Sequence, residues 1–267
     1  MATDDVLPPL DVVSLRDELA SPGSLWRRLD VVECTGSTNA DLLARAAAGE
    51  SIAGAVLIAE RQTAGRGRSG RVWSSPRAQL TLSVGIDAGD VAPDAWGWLP
   101  LAAGVAVVDA LAAVAGVEAG LKWPNDVLAN GRKLAGILTE VAAAQRAIVV
   151  GIGLNVTLRD DEVPDADVTS LLTLDVETPD RASLTRVLLR ELARRVEGWH
   201  AANGADAGLI ADYRARSVTI GSAVRAILPG GREVLGTARS IDEQGRLHID
   251  AAGGPVAVSA GDVVHLR

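Results

Sequence analysis

Apolar and polar positions recur along the chain with periods that change from segment to segment, and each period predicts an element. In "QLTLSVGI" (Gln79–Ile86), Leu80, Leu82, Val84 and Ile86 fall on every second residue, as in a half-buried strand. "AVLIAE" (Ala55–Glu60) is a short continuous apolar run that suits a buried strand. "STNADLLARAAAGE" instead places Leu42, Leu43, Ala46 and Ala47 on one helical face. There Thr38 is the expected cap, Asp41 completes a capping box three residues on, and Gly49 is the stop. "LPLAAGVAVVDALAAVAG" is apolar on nearly every side, which predicts a helix packed against a sheet and closed by Gly116.

Asn130-Gly131 is the strongest hairpin signal in the chain. It should join Asp126–Ala129 to Lys133–Val141, with a further strand over Val149–Val156. Arg181–Ala202 is amphipathic, with Leu184, Val187, Leu188, Leu192 and Val196 along one stripe. After Ser217 the texture changes to short alternating runs separated by "PGG", "DEQG" and "AAGG", which reads as an all-β module of about five strands. Three regions result: a lead-in over 1–30 with a helix over Ser14–Ala20, a main domain over 31–217, and a β module over 218–267.

Composition narrows the function. The 267 residues carry a net charge of -8, which argues against wholesale nucleic-acid binding. No run of 18 apolar residues occurs, so no membrane span is expected. "MATDDVLPPLD" lacks the basic and apolar regions of a signal peptide, which points to a cytoplasmic protein. Cys34 is the single cysteine and reads as a small packing residue, because His200, His248 and His265 lie far from it in sequence. The acidic stretch Asp160–Ser170 lacks the order of a calcium loop and reads as solvated. Among 26 basic residues only Lys122 and Lys133 are lysines, and they are close together. An ammonium is not interchangeable with a guanidinium where a compact cation must reach a small anion.

"TAGRGRSGRVWSSP" (Thr63–Pro76) carries Gly65, Gly67 and Gly70 at the dinucleotide-binding spacing. That motif requires a helix immediately afterwards, whereas Pro76 and a strand pattern follow, so the dinucleotide reading fails. Three readings remain: a backbone cradle for an anion with Arg66, Arg68 and Arg71 as donors, an arginine–glycine nucleic-acid contact, or a solvated loop. Trp73 favours a nucleotide, since an indole beside a phosphate cradle can stack on a base. "KWPNDVLANGRKLAGIL" sets two lysines, amides and a carboxylate around a hairpin, where Asp126 and Lys133 can face each other. "GIGLN" (Gly151–Asn155) permits close ligand approach and ends in an amide. No P-loop, zinc-protease, C-x-x-C or nucleophile-elbow motif is present.

Taken together, "STNADLL", "AERQTAGRGRSGRVW", "LKWPNDVLANGRKLAGILTE" and "VVGIGLNV" resemble the bacterial biotin–protein ligases in order and spacing, from about Glu33 to the C-terminus. The resemblance implies an α+β fold: a mixed sheet with flanking helices, like a class II aminoacyl-tRNA synthetase, plus a small SH3-like β-barrel. It implies an ATP-dependent reaction, with Mg²⁺ expected, that makes biotinyl-5'-adenylate and passes biotin to a lysine of a biotin carboxyl carrier domain. Ser37, Thr38, Asn39 and Gln62 resemble the biotin-ring contacts. Gly65, Arg66, Gly67 and Arg68 resemble the biotin and phosphate loop, with Gly136 beside it. Lys133 resembles the lysine at the biotin carboxylate and α-phosphate, Trp73, Asn125 and Asn155 the adenylate contacts, and Asp126 the group that orients or deprotonates the incoming amine. The lead-in is too short for a winged helix, so DNA repression is not expected. A lipoate–protein ligase is the nearest rival, and a nucleic-acid-binding module is the rival of another class.

Overall fold

The computed structural model describes residues 8–74, 78–159, 162, 167–176 and 180–266. The main domain opens with helix α1 (Val12–Leu19), strand β1 (Arg28–Thr35), helix α2 (Thr38–Ala47), and strands β2 (Ala55–Gln62) and β3 (Gln79–Asp87). Helix α3 (Trp98–Ala110) follows, then β4 (Gly120–Lys122), β5 (Asp126–Ala129), β6 (Arg132–Ala142) and β7 (Ala147–Asn155). Helices α4 (Arg181–Ala201) and α5 (Ala207–Arg216) complete this part, and β8 (Ala223–Ile227), β9 (Glu233–Ile241), β10 (Leu247–Ala251), β11 (Gly254–Val258) and β12 (Asp262–His265) form the module. The first seven strands make one mixed sheet in the order β1-β2-β3-β7-β6-β5-β4, in which only β1 and β2 run parallel. The last five make an antiparallel sheet in the order β11-β10-β9-β8-β12.

One face of the large sheet is hydrocarbon. Leu80, Leu82, Val84 and Ile86 of β3 and Ile148, Val150, Ile152 and Leu154 of β7 pack there beneath α3 and α4. Each such side chain contributes about 1.5–3 kcal/mol by leaving water. The mostly apolar segment Pro93–Ala115, which includes Asp94 and Asp109, has the length and mean hydropathy (1.9 over its best window) of a bilayer span, but in this fold it contains the core helix: α3 is buried on nearly every side. Gly116, at φ +63, ends it.

Several sequence expectations shift. The cap of α2 is Ser37, not Thr38: the Ser37 hydroxyl accepts from the Ala40 amide and Thr38 is the first helical residue. β1, β4 and α5 had no clear signal; β1 is an edge strand with mixed burial, and α5 buries only Leu209 and Tyr213. β3 is not half-buried, because its polar face is covered as well. The Asn130-Gly131 turn forms as expected, with φ +50 and +76 in the left-handed region that a type I′ hairpin needs. Part of the acidic stretch Asp160–Ser170 lies outside the described residues.

Candidate active site

The second face of the large sheet differs in kind. Toward one end of β7, Ala147 and Val149 pack with Leu42 and Ala46 of α2 in a small apolar cluster. Farther along the same face come Gly151, Gly153 and Asn155, opposite Ser83, Thr81 and Gln79 of β3. Those three β3 side chains are at most 5% exposed. Buried polar groups need partners, and here Thr81 lines a cavity of about 1280 Å³ while Gln79 and Ser83 stand behind its wall.

The N-terminus of α2 forms one end of the cavity. Gln62 Oε1 accepts from the Thr38 amide at 2.8 Å and from the Thr38 hydroxyl at 3.1 Å. Ser83 Oγ lies 2.6 Å from both Thr38 Oγ1 and Asn39 Oδ1. Asn39 Nδ2 donates to Glu140 Oε2 at 2.9 Å, and Arg66 pairs with that same oxygen at 2.9 Å. Gly151 is required for this: a Cβ there would sit 2.2 Å from Asn39 Oδ1. The result is a neutral, mostly buried set of donors and acceptors beside an exposed pair.

The glycine–arginine loop forms the roof. Gly67 N donates to Arg71 O at 2.7 Å and Trp73 N to Gly65 O at 2.9 Å, so the loop doubles back on itself. Ser69 (φ +55) and Gly70 (φ +74) make the tip. Only one three-residue turn, Arg68–Gly70, follows the glycines, which removes the dinucleotide helix. Arg68 donates to Asn125 Oδ1 at 3.2 Å and to Gly261 O of the β module at 3.1 Å. Burial lowers the pKa of its guanidinium, with Asp262 and Asp126 opposing that shift and Arg71 adding to it. Arg71 pairs with Asp262 at 2.6 Å. The loop is therefore held from both the main domain and the module, and nothing in the sequence signalled Asp262.

Trp73 lies across two bare strands. A Cβ at Gly153 would fall 2.5 Å from the indole and one at Gly136 3.0 Å from it. The indole N–H donates to Gln79 Oε1 at 3.1 Å, Gln79 Nε2 to Asn155 Oδ1 at 2.8 Å, and Asn155 Nδ2 to Thr169 O at 2.9 Å. Asn155 is 1% exposed and stands behind the cavity wall in this relay. Gly65 also stands off the wall, its Cα packed against the Trp73 carbonyl and Gln62. Ser37, Thr38, Asn39 and Gln62 do line the cavity, as do Arg66, Gly67, Arg68 and Trp73, and Asn125, Asp126, Lys133 and Gly136. Gln79, Ser83 and Glu140 were not singled out from sequence; their alternation with apolar neighbours was the available signal.

Lys133 and Asp126 meet at the centre. Nζ lies 2.6 Å from Asp126 Oδ1 and 5.4 Å from the Trp73 ring centroid. The backbone of Lys133 is fixed by Asp167 O (2.6 Å) and by the Thr169 amide (2.9 Å). Such an ammonium can stabilise negative charge developing beside it, and its carboxylate partner can take a proton once the pair opens. Among the described residues no group of three or more His, Cys, Asp or Glu side chains forms a metal cage. Cys34, expected as a small packing residue, is instead exposed because β1 is an edge strand, and Arg61 Nη2 donates to its Sγ at 3.5 Å.

Two family models match the chain: the biotin/lipoate A/B protein ligase family over residues 31–156, and the biotin protein ligase C-terminal domain over 219–266. The biotin–[acetyl-CoA-carboxylase] ligase of Mycobacterium tuberculosis is 62% identical over 99% of this chain and 98% of its own length. This chain belongs to the biotin protein ligase family. A bifunctional ligase/repressor of Escherichia coli is 34% identical over 84% of this chain and 69% of its own length. The fold matches that of the biotin protein ligase from Aquifex aeolicus, solved with biotin and ATP, with TM-score 0.77, 24% identity, and coverage of 91% of this chain and 100% of that one.

Proposed function

We infer that this biotin protein ligase works in two steps within the one cavity. The neutral polar end at Ser37, Thr38, Asn39 and Gln62 takes the ureido ring of biotin, whose carbonyl accepts and whose two N–H groups donate. Thr38, Ser83 and Gln62 are already ordered by mutual hydrogen bonds, so little reorganisation accompanies binding. The valeryl chain runs along the cavity between Asn39, which packs on Gly151, and the Trp73 indole, which packs on Gly136. Its carboxylate then arrives at Lys133, in place of Asp126.

In the first step a carboxylate oxygen of biotin attacks the α-phosphorus of ATP. That O–P bond forms, the bond from the α-phosphorus to the β-bridging oxygen breaks, and pyrophosphate leaves with the electron pair. Lys133 and Arg68 stabilise the charge on the phosphoryl oxygens, with Gly67 permitting close backbone approach. Trp73 is the adenine platform, held at its angle by Gln79 and Asn155. Asn125 supports Arg68. Mg²⁺ would arrive with ATP, bound through the phosphates and water, and would neutralise phosphate charge beside Lys133 and Arg68.

In the second step the amine of an acceptor lysine attacks the acyl carbon of the adenylate. The C–N bond forms, the C–O bond to phosphate breaks, AMP leaves, and Asp126 accepts a proton from the amine. No enzyme nucleophile enters. The acceptors are biotin carboxyl carrier domains of acyl-CoA carboxylases, and the reaction belongs to the cytoplasm.

The observation that carries this reading is the placement of Lys133 and Asp126 between the neutral polar end and Arg68. Biotin-dependent exchange of pyrophosphate into ATP, followed by transfer of labelled biotin to a carrier domain, tests it. Exchange that is supported by biotin and not by lipoate is expected; exchange indifferent to biotin, or lack of transfer, overturns it.

A further inference from the structure

Six cations line the cavity: Arg66, Arg68, Arg71, Lys122, Lys133 and Arg216. Five have partners. Arg66 pairs with Glu140, Arg71 with Asp262, Lys133 with Asp126, and Arg216 with Asp109 and Asp212, while Arg68 donates to Asn125 and Gly261. Among the described residues the side chain of Lys122 alone of the six has neither an ion pair nor a hydrogen bond. It is half-buried at the end of edge strand β4. A half-buried ammonium without a counterion is costly unless something anionic visits it.

Its place in the sheet gives that visitor a direction. Register aligns Lys122 with Asp126, Asp126 with Gly136, Gly136 with Gly153, and Gly153 with Thr81. These five residues form one row across the sheet on the cavity face. The neutral polar end lies toward β3 and β2, the Lys133–Asp126 pair lies at β6 and β5, and Lys122 lies beyond them at β4. In phosphoryl transfer the attacking and leaving oxygens are roughly in line. A carboxylate attacking from the β3 side expels its leaving group toward β4. The neighbouring imidazole, His265, is close enough for Lys122 to help lower its pKa, burial being the larger cause. That wall therefore adds no competing positive charge at neutral pH.

We propose that Lys122 binds the β- and γ-phosphates of ATP and then the departing pyrophosphate, making the β4 edge the leaving-group end of the cavity. The proposal rests on the two-step reading above. Lys122 touches the leaving group only, so it contributes to adenylate formation and its reversal. Lys133, by contrast, stands at the atoms where bonds change.

The test is pyrophosphate–ATP exchange in the full-length wild-type protein and in Lys122→Met and Lys122→Arg, with inorganic pyrophosphate as the varied substrate. Loss of a charge-assisted contact should raise the KM for pyrophosphate about ten- to hundredfold in Lys122→Met, while the KM for biotin stays within about twofold. Lys122→Arg should recover most of the loss, and melting temperatures should match. An unchanged KM for pyrophosphate in Lys122→Met overturns the proposal, as does an equal loss for biotin and pyrophosphate, which would mark a structural role. Lack of biotin-dependent exchange in the wild-type protein would instead defeat the two-step reading itself.

Discussion

The two faces of the large sheet come from the same strands and share hardly a property. On β3 the side chains toward α3 and α4 are Leu80, Leu82, Val84 and Ile86, while those on the other side are Gln79, Thr81 and Ser83. On β7 the contrast is Ile148, Val150, Ile152 and Leu154 against Gly151, Gly153 and Asn155. Both faces are buried. The first gains stability by removing hydrocarbon from water. The second gives up side chains at Gly151 and Gly153 so that Asn39 and Trp73 can approach the backbone, and it spends its buried polar groups on a network that borders a cavity. The difference teaches that in this fold stability and chemistry are separated by residue parity along a strand. Substitutions one residue apart should therefore have unlike consequences.

The largest expected effect is on the chemical face. Lys133→Ala should reduce biotinyl-adenylate formation at least about 10²–10³-fold, the usual cost of a preorganised charge-stabilising group. Its melting temperature should barely move, since Lys133 is partly exposed and, among the described residues, its one ion pair is with Asp126. Near-wild-type exchange in that variant would remove the distinction between the faces.

Adjacent residues sharpen it. Gly153→Val places carbon inside the Trp73 indole and should lower kcat/KM for exchange about 10²-fold by displacing the ring and its neighbour Lys133. Ile152→Ala should instead cost about 2–5 kcal/mol in urea unfolding, with activity per folded molecule preserved. If both variants lose stability equally and neither loses specific activity, parity carries no functional meaning. A smaller effect is expected of Arg68→Ala, which should release the adenylate about ten- to hundredfold faster in a filter-binding chase. Arg68 bonds two neutral oxygens in the free protein, so unchanged release would mean that it never leaves them.

The smallest expected effect concerns pH. Burial, with Lys122 nearby, holds the His265 imidazole below its ordinary value of 6.5. The unfolded chain then binds that proton more strongly, so this contribution is complete above pH 6.5 and is lost as pH falls. The melting temperature should drop more between pH 7.5 and 5 in the wild-type protein than in His265→Gln. The carboxyls held below their ordinary value of 3.8, Asp180, Asp212 and Asp242, act only at lower pH. Equal slopes would show that His265 titrates normally.

Much of this was legible in the chain. Period two at Gln79–Ile86, the Asn130-Gly131 turn and the stripe along Arg181–Ala202 each determine an element through local chemistry. The edge strand β1 and the short helix α5 were not, because each buries few side chains and so shows no firm period. The cap of α2 was placed one residue late because Ser37 and Thr38 are both good caps and only the backbone decides between them. At the site the residue types were legible, but their partners were not. Glu140 under Arg66, Asp262 under Arg71 and Gln79 between Trp73 and Asn155 are long-range contacts that leave no local trace. The polar half of β3 was misread for a physical reason: a strand with one polar face usually turns it to water.

The central claim is that biotin lies along the polar face with its carboxylate at Lys133. A crystal structure of the protein with biotin and ATP tests it most directly. The expected density is biotinyl-5'-adenylate, with the ureido ring at Ser37, Thr38 and Gln62, and with Lys133 Nζ on the phosphoryl oxygens in place of Asp126. A cavity with no ligand, in which Lys133 still pairs with Asp126, would contradict the account.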